Sequence, residues 1–402
     1  MRLKQCLFFL CVSLAWACSP KLNRVTTAPA KPALDKKEMP VVKTEPAFTT
    51  ANLAVLIPFK LNTVRLNTAS KAQLAETDMA IDFYQGLKMG IDSAAAGGLN
   101  FKIHVYDSRD NNAQLSLITK KEEFKDNQLI IGPVFPEGQK YMTAYAISND
   151  VPLVSPLAAS KPSDFNNPKL ISIVNSIDQH AEKIARYIGT HYHAEKGIVV
   201  LINPPKSEDS FGASLKATLQ KNYPSLLVQE FGSAAVFETK MIKGKKYAVV
   251  VCSPEASFVN PTIDKLARLA KVTANTYEIQ LFGHPAWLKQ SYNTAQLEAL
   301  RTVLSTSYQV DYKDARIIDF VRKYRAEFNY EPGEYAFKGF DIGYYFGRLI
   351  TKHGRNYLDF ILKEKYNGLQ NDFSFAYDPL YGYYNQELSL LQYRSGALLP
   401  LN

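Results

Sequence analysis

From residue 53 onward, short β-branched apolar runs alternate with longer stretches patterned for helices, and this alternation confines the chain to an α/β architecture. Residues 53–58 (LAVLIP) are an apolar run of strand length. Residues 78–96 set Ile81, Tyr84, Leu87, Met89 and Ile91 toward one side of a helix, and residues 101–106 (FKIHVY) alternate as a strand. Residues 113–125 read as helix, 129–131 as a buried strand closed by Gly132-Pro133, 138–149 as helix and 152–155 as strand. Strands separated by helices are parallel, and their crossovers cover both faces of a sheet.

A second set begins near Ile171. Residues 180–191, 210–221 and 261–273 read as helices, and 197–202 (GIVVLI), 226–231, 248–252 (AVVVC) and 279–282 as strands. Two serial sets mean two lobes. The last third has helical text at 315–328 and 336–353 and strand text at 373–375 and 388–393, too little sheet for a third core. The helices are expected to return to the first lobe and the closing strands to the second. Lobe 1 then spans residues 51–174 and 308–372, and lobe 2 residues 175–307 and 373–402. Roughly 350 residues after the N-terminal region suffice for two ordinary cores.

The N-terminus sets the expected compartment. Arg2 and Lys4 precede an apolar run, residues 7–16, that is too short to span a bilayer and reads as the core of a signal peptide over residues 1–17. Ala15-Trp16-Ala17-Cys18 resembles a lipoprotein signal, which implies that Cys18 is lipidated and anchors the chain to a membrane. The alternative is an ordinary cut near Ala17 that leaves Cys18 unmodified. Residues 18–50, rich in Pro, Thr, Lys and Ala without apolar period, read as a flexible tether. After signal removal Cys18 and Cys252 are the only cysteines, so an internal disulfide is not expected. The net charge of +9 is largely carried by Arg2, Lys4 and the tether, and the folded body keeps a weak basic bias that does not suit nucleic-acid binding.

Several ordered segments resemble the leucine/isoleucine/valine-binding-protein family, the type-1 periplasmic binding proteins that serve ABC transporters and recur as receptor ligand-binding domains. They are LAVLIPF at 53–59, FYQGLKMGIDSA at 83–94, VYDSRDN at 105–111, LIIGPVFP at 129–136, VPLVSPLAAS at 151–160, DSFG at 209–212, LFGHPAW at 281–287, YAFKGFDIGYYF at 335–346 and FAYDPLYGYYN at 375–385. The resemblance covers about residues 52–402. It implies two doubly wound parallel-sheet lobes joined by a three-strand hinge, with a ligand held in the interlobe cleft and the lobes closing on it.

Parallel sheets bind ligands beyond the carboxyl ends of their strands, which directs attention to the exits at 132–136, 155–160, 253–255 and 283–287. Phe135 precedes Pro136 and Glu137, where amino-acid binders of the family supply donors to a carboxylate. A proline without an N–H and an acid work against that geometry. Ser155, Ala158, Ala159 and Ser160 keep the hydroxyl and backbone donors of the next exit, although Ser155 and Ser160 could equally serve a turn and a cap. Phe211 matches the family's aromatic cover in the second lobe, or is core at a helix start. Ser253, His284 and Trp287 follow strands predicted to end at the cleft, where Trp287 offers a flat ring platform or packs at the lobe surface. Tyr381-Gly382-Tyr383-Tyr384 is expected in a hairpin turn and could form a partner patch.

No catalytic residues, metal ligands or cofactors are expected. His191-x-His193 lacks companion ligands, Cys252 ends a buried run, and no Gly-x-Ser-x-Gly, Walker or His-Glu-x-x-His pattern occurs. Two functions follow: a lipid-anchored periplasmic receptor for a small polar ligand, such as an amino acid, peptide or cell-wall fragment, or an envelope scaffold similar to the penicillin-binding-protein activators, whose partner is an envelope protein. Ser19 without a following acidic run favours the periplasmic face of the outer membrane.

Overall fold

Strands whose residues are buried on both faces need helices above and below, and the runs at 53–57, 129–131, 153–155, 198–202, 247–251 and 279–283 are buried along their whole length. The computed structural model describes residues 48–401 except 65–66, 195, 206–209 and 274–275. The expected signal peptide, Cys18 and nearly all of the tether lie outside the described residues. The first sheet is built from β1 (Thr50–Ile57), α1 (Lys71–Ala95), β2 (Asn100–Asp107), α2 (Asn112–Ile118), α3 (Glu122–Lys125), β3 (Leu129–Ile131), α4 (Pro136–Ser148), β4 (Leu153–Ser155) and β5 (Leu170–Ser172). The second follows with α5 (Ile177–Tyr192), β6 (Ile198–Ile202), α6 (Phe211–Asn222), β7 (Leu227–Phe231), α7 (Ala234–Glu238), β8 (Lys246–Val251), α8 (Ala256–Val272), β9 (Glu278–Gly283), α9 (Thr294–Ala299) and β10 (Val303–Thr306). The last third adds α10 (Ala315–Phe328), α11 (Glu334–His353), β11 (Phe375–Asp378), β12 (Gly382–Asn385), β13 (Ser389–Arg394) and β14 (Ala397–Pro400).

Strand order is β11-β12-β5-β4-β3-β1-β2 in one sheet and β14-β13-β10-β9-β8-β6-β7 in the other. The parallel parts are wound alike, so each order reverses beside its first strand, between β1 and β3 and between β6 and β8. These reversals are the switch points at which ligands gather in open α/β sheets. The described chain passes between lobes three times, after β5, β10 and β12, forming the three-strand hinge.

The closing hairpin departs from the sequence expectation. β11 and β12 extend the first sheet, with β12 parallel to β5, and only β13 and β14 extend the second. Residues 375–385 therefore sit with the first lobe rather than in the expected 373–402 segment of the second. The alternation in GYYN is too short to separate from turn text, and β12 gains its strand character by pairing Tyr383 with Ile171 and Tyr384 with Ser172. Gly382, with φ of +83°, turns the hairpin in a conformation that L side chains rarely adopt. Tyr383 and Tyr384 are thus strand residues rather than turn residues.

Helices α1 and α11 run parallel and meet backbone to backbone. A Cβ on Gly86 would strike the carbonyl of Ala336, one on Gly339 that of Phe83, and one on Gly343 that of Leu87. Spacing these glycines four residues apart on both helices lets the axes approach closely. Because α1 leaves the carboxyl end of β1, the parallel pairing brings the N-terminus of α11 to that same end of the first lobe.

Candidate functional site

The site is assembled around the hinge, where buried polar groups fix the crossings. Asn175 and Gln179 donate to the Asn385 carbonyl at 2.8 and 2.7 Å, so the first crossing is tied to the third. The His180 ring lies between the Ser305 and Ser307 hydroxyls at 2.9 and 3.1 Å, which ties α5 to the second crossing. Burial, with His284 nearby, pushes the His180 pKa down to about 4, and the ring is neutral at pH 7. Asn371 donates to the Ser307 carbonyl at 3.2 Å from a turn organised by Asp341. The Asp341 carboxylate accepts from the backbone of Leu369, Gln370 and Asn371 at 2.7, 2.9 and 2.8 Å and from the Tyr366 hydroxyl at 2.9 Å. Burial raises its pKa to about 6 against the pull of those donors.

Further polar contacts lie where the lobes meet. Lys161, on the loop leaving β4, meets Asp178 in the first turn of α5 at 2.6 Å. Asp178 also accepts from Ser210 at 2.8 Å and Ser214 at 2.5 Å, linking this contact to the start of α6. Burial pulls the Asp178 pKa upward, but the Lys161 and serine hydrogen bonds hold it below the usual carboxylate value. Further along the hinge, Lys289 from the second lobe lies near Tyr308 and Glu334, which hold its pKa up against burial. Lys338 of α11 lies over the Tyr308 ring at 4.4 Å and the Tyr335 ring at 5.2 Å, and pairs with Glu334.

The residues expected from the sequence divide between these walls. On the first lobe, Phe135 is the N-cap residue of α4 and is 37% exposed, Ser155 is buried at the end of β4, and Ala158, Ala159 and Ser160 lie on the following loop with partial exposure. Lys161, rather than Ser160, occupies the N-cap position of the short 3-10 turn Pro162–Asp164. On the second lobe, Phe211, Ser253, His284 and Trp287 come together, but they face inward. Phe211 is fully buried and meets the His284 ring edge-on at 5.0 Å. Trp287 is 1% exposed, and its indole N–H donates to the Ser253 carbonyl at 2.9 Å. The Ser253 hydroxyl accepts from the Glu255 backbone at 3.1 Å, closing a turn. Trp287 therefore presents no open face in this conformation, because Gly283 leaves room for its ring inside the lobe.

His191 and His193 part company. His191 stacks on Tyr187 at 4.0 Å, while His193 bonds to Ser225 at 2.7 Å. No group of three or more metal-ligating side chains occurs among the described residues, and none of the described helices is long and apolar enough to cross a membrane. Cys252 is buried at the end of β8.

No protein-family model matches the sequence, and no curated protein does. Solved structures match over most of the chain. A putative branched-chain amino acid ABC transporter protein from Rhodospirillum rubrum superposes with a TM-score of 0.62 at 15% identity, covering 88% of this chain and 100% of the other. An ABC transporter substrate-binding protein from Desulfitobacterium hafniense, in complex with Leu, gives 0.53 at 14% identity over 88% and 100%. Full-length LpoA from Haemophilus influenzae gives 0.56 at 13% identity, with 88% of this chain covering 59% of that one.

The fold is that of the type-1 periplasmic binding proteins. Within this fold, the sequence pointed to the strand-exit loops but not to Lys161, Asp178, Lys289, Tyr308, Glu334 or Lys338. Their partners lie on other elements, and no local pattern marks them. Tyr335 and Lys338 did stand within the segment at 335–346, read there only as an aromatic helix.

Proposed function

We propose that the chain is an envelope lipoprotein, anchored through Cys18, that binds a small polar ligand between its two lobes. The observation that carries this reading is that Lys161, on the loop leaving β4 of the first lobe, already reaches Asp178 of the second, while each sheet carries the strand-order reversal beside which ligands gather in open α/β sheets. Contacts that span a hinge reward closure, and a ligand touching both walls would add to them. Phe135, Ala158, Ala159 and Ser160 offer accessible first-lobe contacts, and Ser155, Phe211, Ser253, His284 and Trp287 would support the walls or become accessible as the lobes move. Placement at the periplasmic face of the outer membrane, and binding without catalysis, belong to the same proposal.

Thermal-shift screening of the full chain with amino acids, short peptides and soluble cell-wall fragments tests the receptor. A rise of a few degrees with one class is the expected result, and a flat response to all of them removes the reading. Cys18→Ala should release the protein from the membrane fraction, whereas retention there would refute the anchor.

A regulator of a peptidoglycan synthase, in the manner of the penicillin-binding-protein activators, is the second reading. It is favoured by Pro136 and Glu137 where carboxylate donors are expected, by inward-facing Phe211 and Trp287, and by the likeness to LpoA. Cross-linking in intact envelopes should then capture a peptidoglycan synthase, and recovery of none would count against it.

A further inference from the structure

We propose that the cluster of Lys289, Tyr308, Tyr335 and Lys338 is an oxyanion subsite on the hinge side of the cleft, taking the carboxylate or phosphate of a ring-bearing ligand. This deepens the proposed receptor function and rests on it, but it places charge recognition away from the exits of β3 and β4. Three observations support it.

The first is location. Lys289 ends the short turn Pro285–Lys289 that follows β9, Tyr308 follows β10 directly, and Glu334, Tyr335 and Lys338 occupy the start of α11. The parallel pairing of α11 with α1 puts that start at the carboxyl end of the first sheet, so both lobes and one crossing contribute to one cluster. Tyr308 is held in place there. Its N–H donates to the Thr306 hydroxyl at 3.2 Å, and that hydroxyl donates to the Tyr308 carbonyl at 2.7 Å.

The second is charge. Lys338 is only 8% exposed, and an ammonium so far from water requires partners. Glu334 supplies its one counter-charge, and the Tyr308 and Tyr335 rings supply the remainder. Lys289 adds a second ammonium near the same carboxylate, and the two lysines feel each other's charge. Two ammonium groups thus share one carboxylate, Glu334, which an incoming oxyanion would supplement. Asp82 of α1 is turned to the start of α11, where it accepts from the backbone of Gly333 and Ala336 at 3.2 and 2.9 Å.

The third is mechanical. Lys289 is exposed and belongs to the second lobe, whereas Lys338 is fixed in the first. An oxyanion accepting from both would draw the lobes together, and the flanking tyrosine rings would pack a flat ligand body.

The test uses the full chain with three probes at constant ionic strength: hippurate, its neutral amide hippuramide, and inorganic phosphate. Calorimetric titration should show hippurate binding at least about tenfold more tightly than hippuramide, a preference lost in Lys289→Met. Lys338→Met risks unfolding, so Lys338→Arg is its partner and should retain the preference. Phosphate that competes with hippurate and shares the Lys289 dependence would identify a general oxyanion site and also supports the proposal. Equal binding of hippurate and hippuramide, unchanged by Lys289→Met, would overturn the subsite while leaving a solute-binding cleft intact. If none of the three probes binds, the subsite is overturned, and the receptor reading is then judged by its own ligand screen.

Discussion

Asp341 shows how much a single buried side chain can carry. Its carboxylate gathers three backbone N–H groups and a tyrosine hydroxyl, and the turn so formed holds Asn371 against Ser307 at the hinge. Asp341→Asn replaces an acceptor oxygen with a donor amide facing donors, and should cost about 2–4 kcal/mol in urea unfolding at pH 7. The pH dependence has a definite sign. A carboxyl raised to about 6 when folded binds more protons than its unfolded counterpart, so its contribution falls as pH rises from about 4 to 6 and is constant above. His180 works in the opposite direction. Depressed to about 4, it is protonated first in the unfolded chain, and its contribution is complete above about 6.5 and lost as pH falls toward 4. Each effect amounts to roughly 3 kcal/mol across its window. These two contributions therefore largely offset each other between pH 4 and 6.5 in the wild type. Relative to the wild type, Asp341→Asn should make stability rise more steeply with pH, and His180→Gln should make it fall. Parallel curves for wild type and both variants would refute the assignment. None of this was legible in the sequence, where Asp341 was one letter in an aromatic helix and His180 merely the start of another.

At the scale of elements, the seam between α1 and α11 is the clearest case of sequence text gaining meaning only through pairing. Gly86 and Gly90 recur at the interval of Gly339 and Gly343, and each set occupies one helix face. Alone, either set reads as a lowered helix propensity. Together they let two backbones touch, and Gly339→Ala would place a methyl group inside the Phe83 carbonyl. The substitution should destabilise the protein by about 1–3 kcal/mol, although alanine is the better helix former by about 1 kcal/mol. Gly232→Ala, where a Cβ meets open space, is the control and should be close to neutral by thermal melting. If Gly339→Ala melts no lower than Gly232→Ala, the seam is not tight. Elements of the first two thirds were readable because burial on both faces leaves continuous β-branched runs. β5, β10 and β12 were missed as strands because three or four residues carry too little period, and β12 acquires its character from a partner more than 200 residues away.

At the scale of the whole molecule, two cores have to be held in one relation while remaining free to change it. The two-lobe division followed from the repetition of strand and helix, but contacts that set the lobes' relation join residues scattered through the chain and leave no local trace. The crossings are tied by buried hydrogen bonds, which resist shear at the hinge, whereas the Lys161–Asp178 pair lies partly in water and is worth no more than about 1 kcal/mol. A contact of that size suits a latch, because it biases an equilibrium between open and closed lobes without fixing it. Lys161→Met should leave unfolding midpoints almost unchanged yet move the lobes apart, seen as a larger radius of gyration in small-angle scattering. Asp178→Asn should do the same and also loosen the start of α6 by weakening the contacts to Ser210 and Ser214. Acid should mimic both variants. The Asp178 carboxyl stays ionised below the usual carboxylate range, so the latch holds at neutral pH and yields only as pH falls through that depressed value. A radius of gyration identical in wild type and Lys161→Met would show that the hinge network alone sets the resting angle.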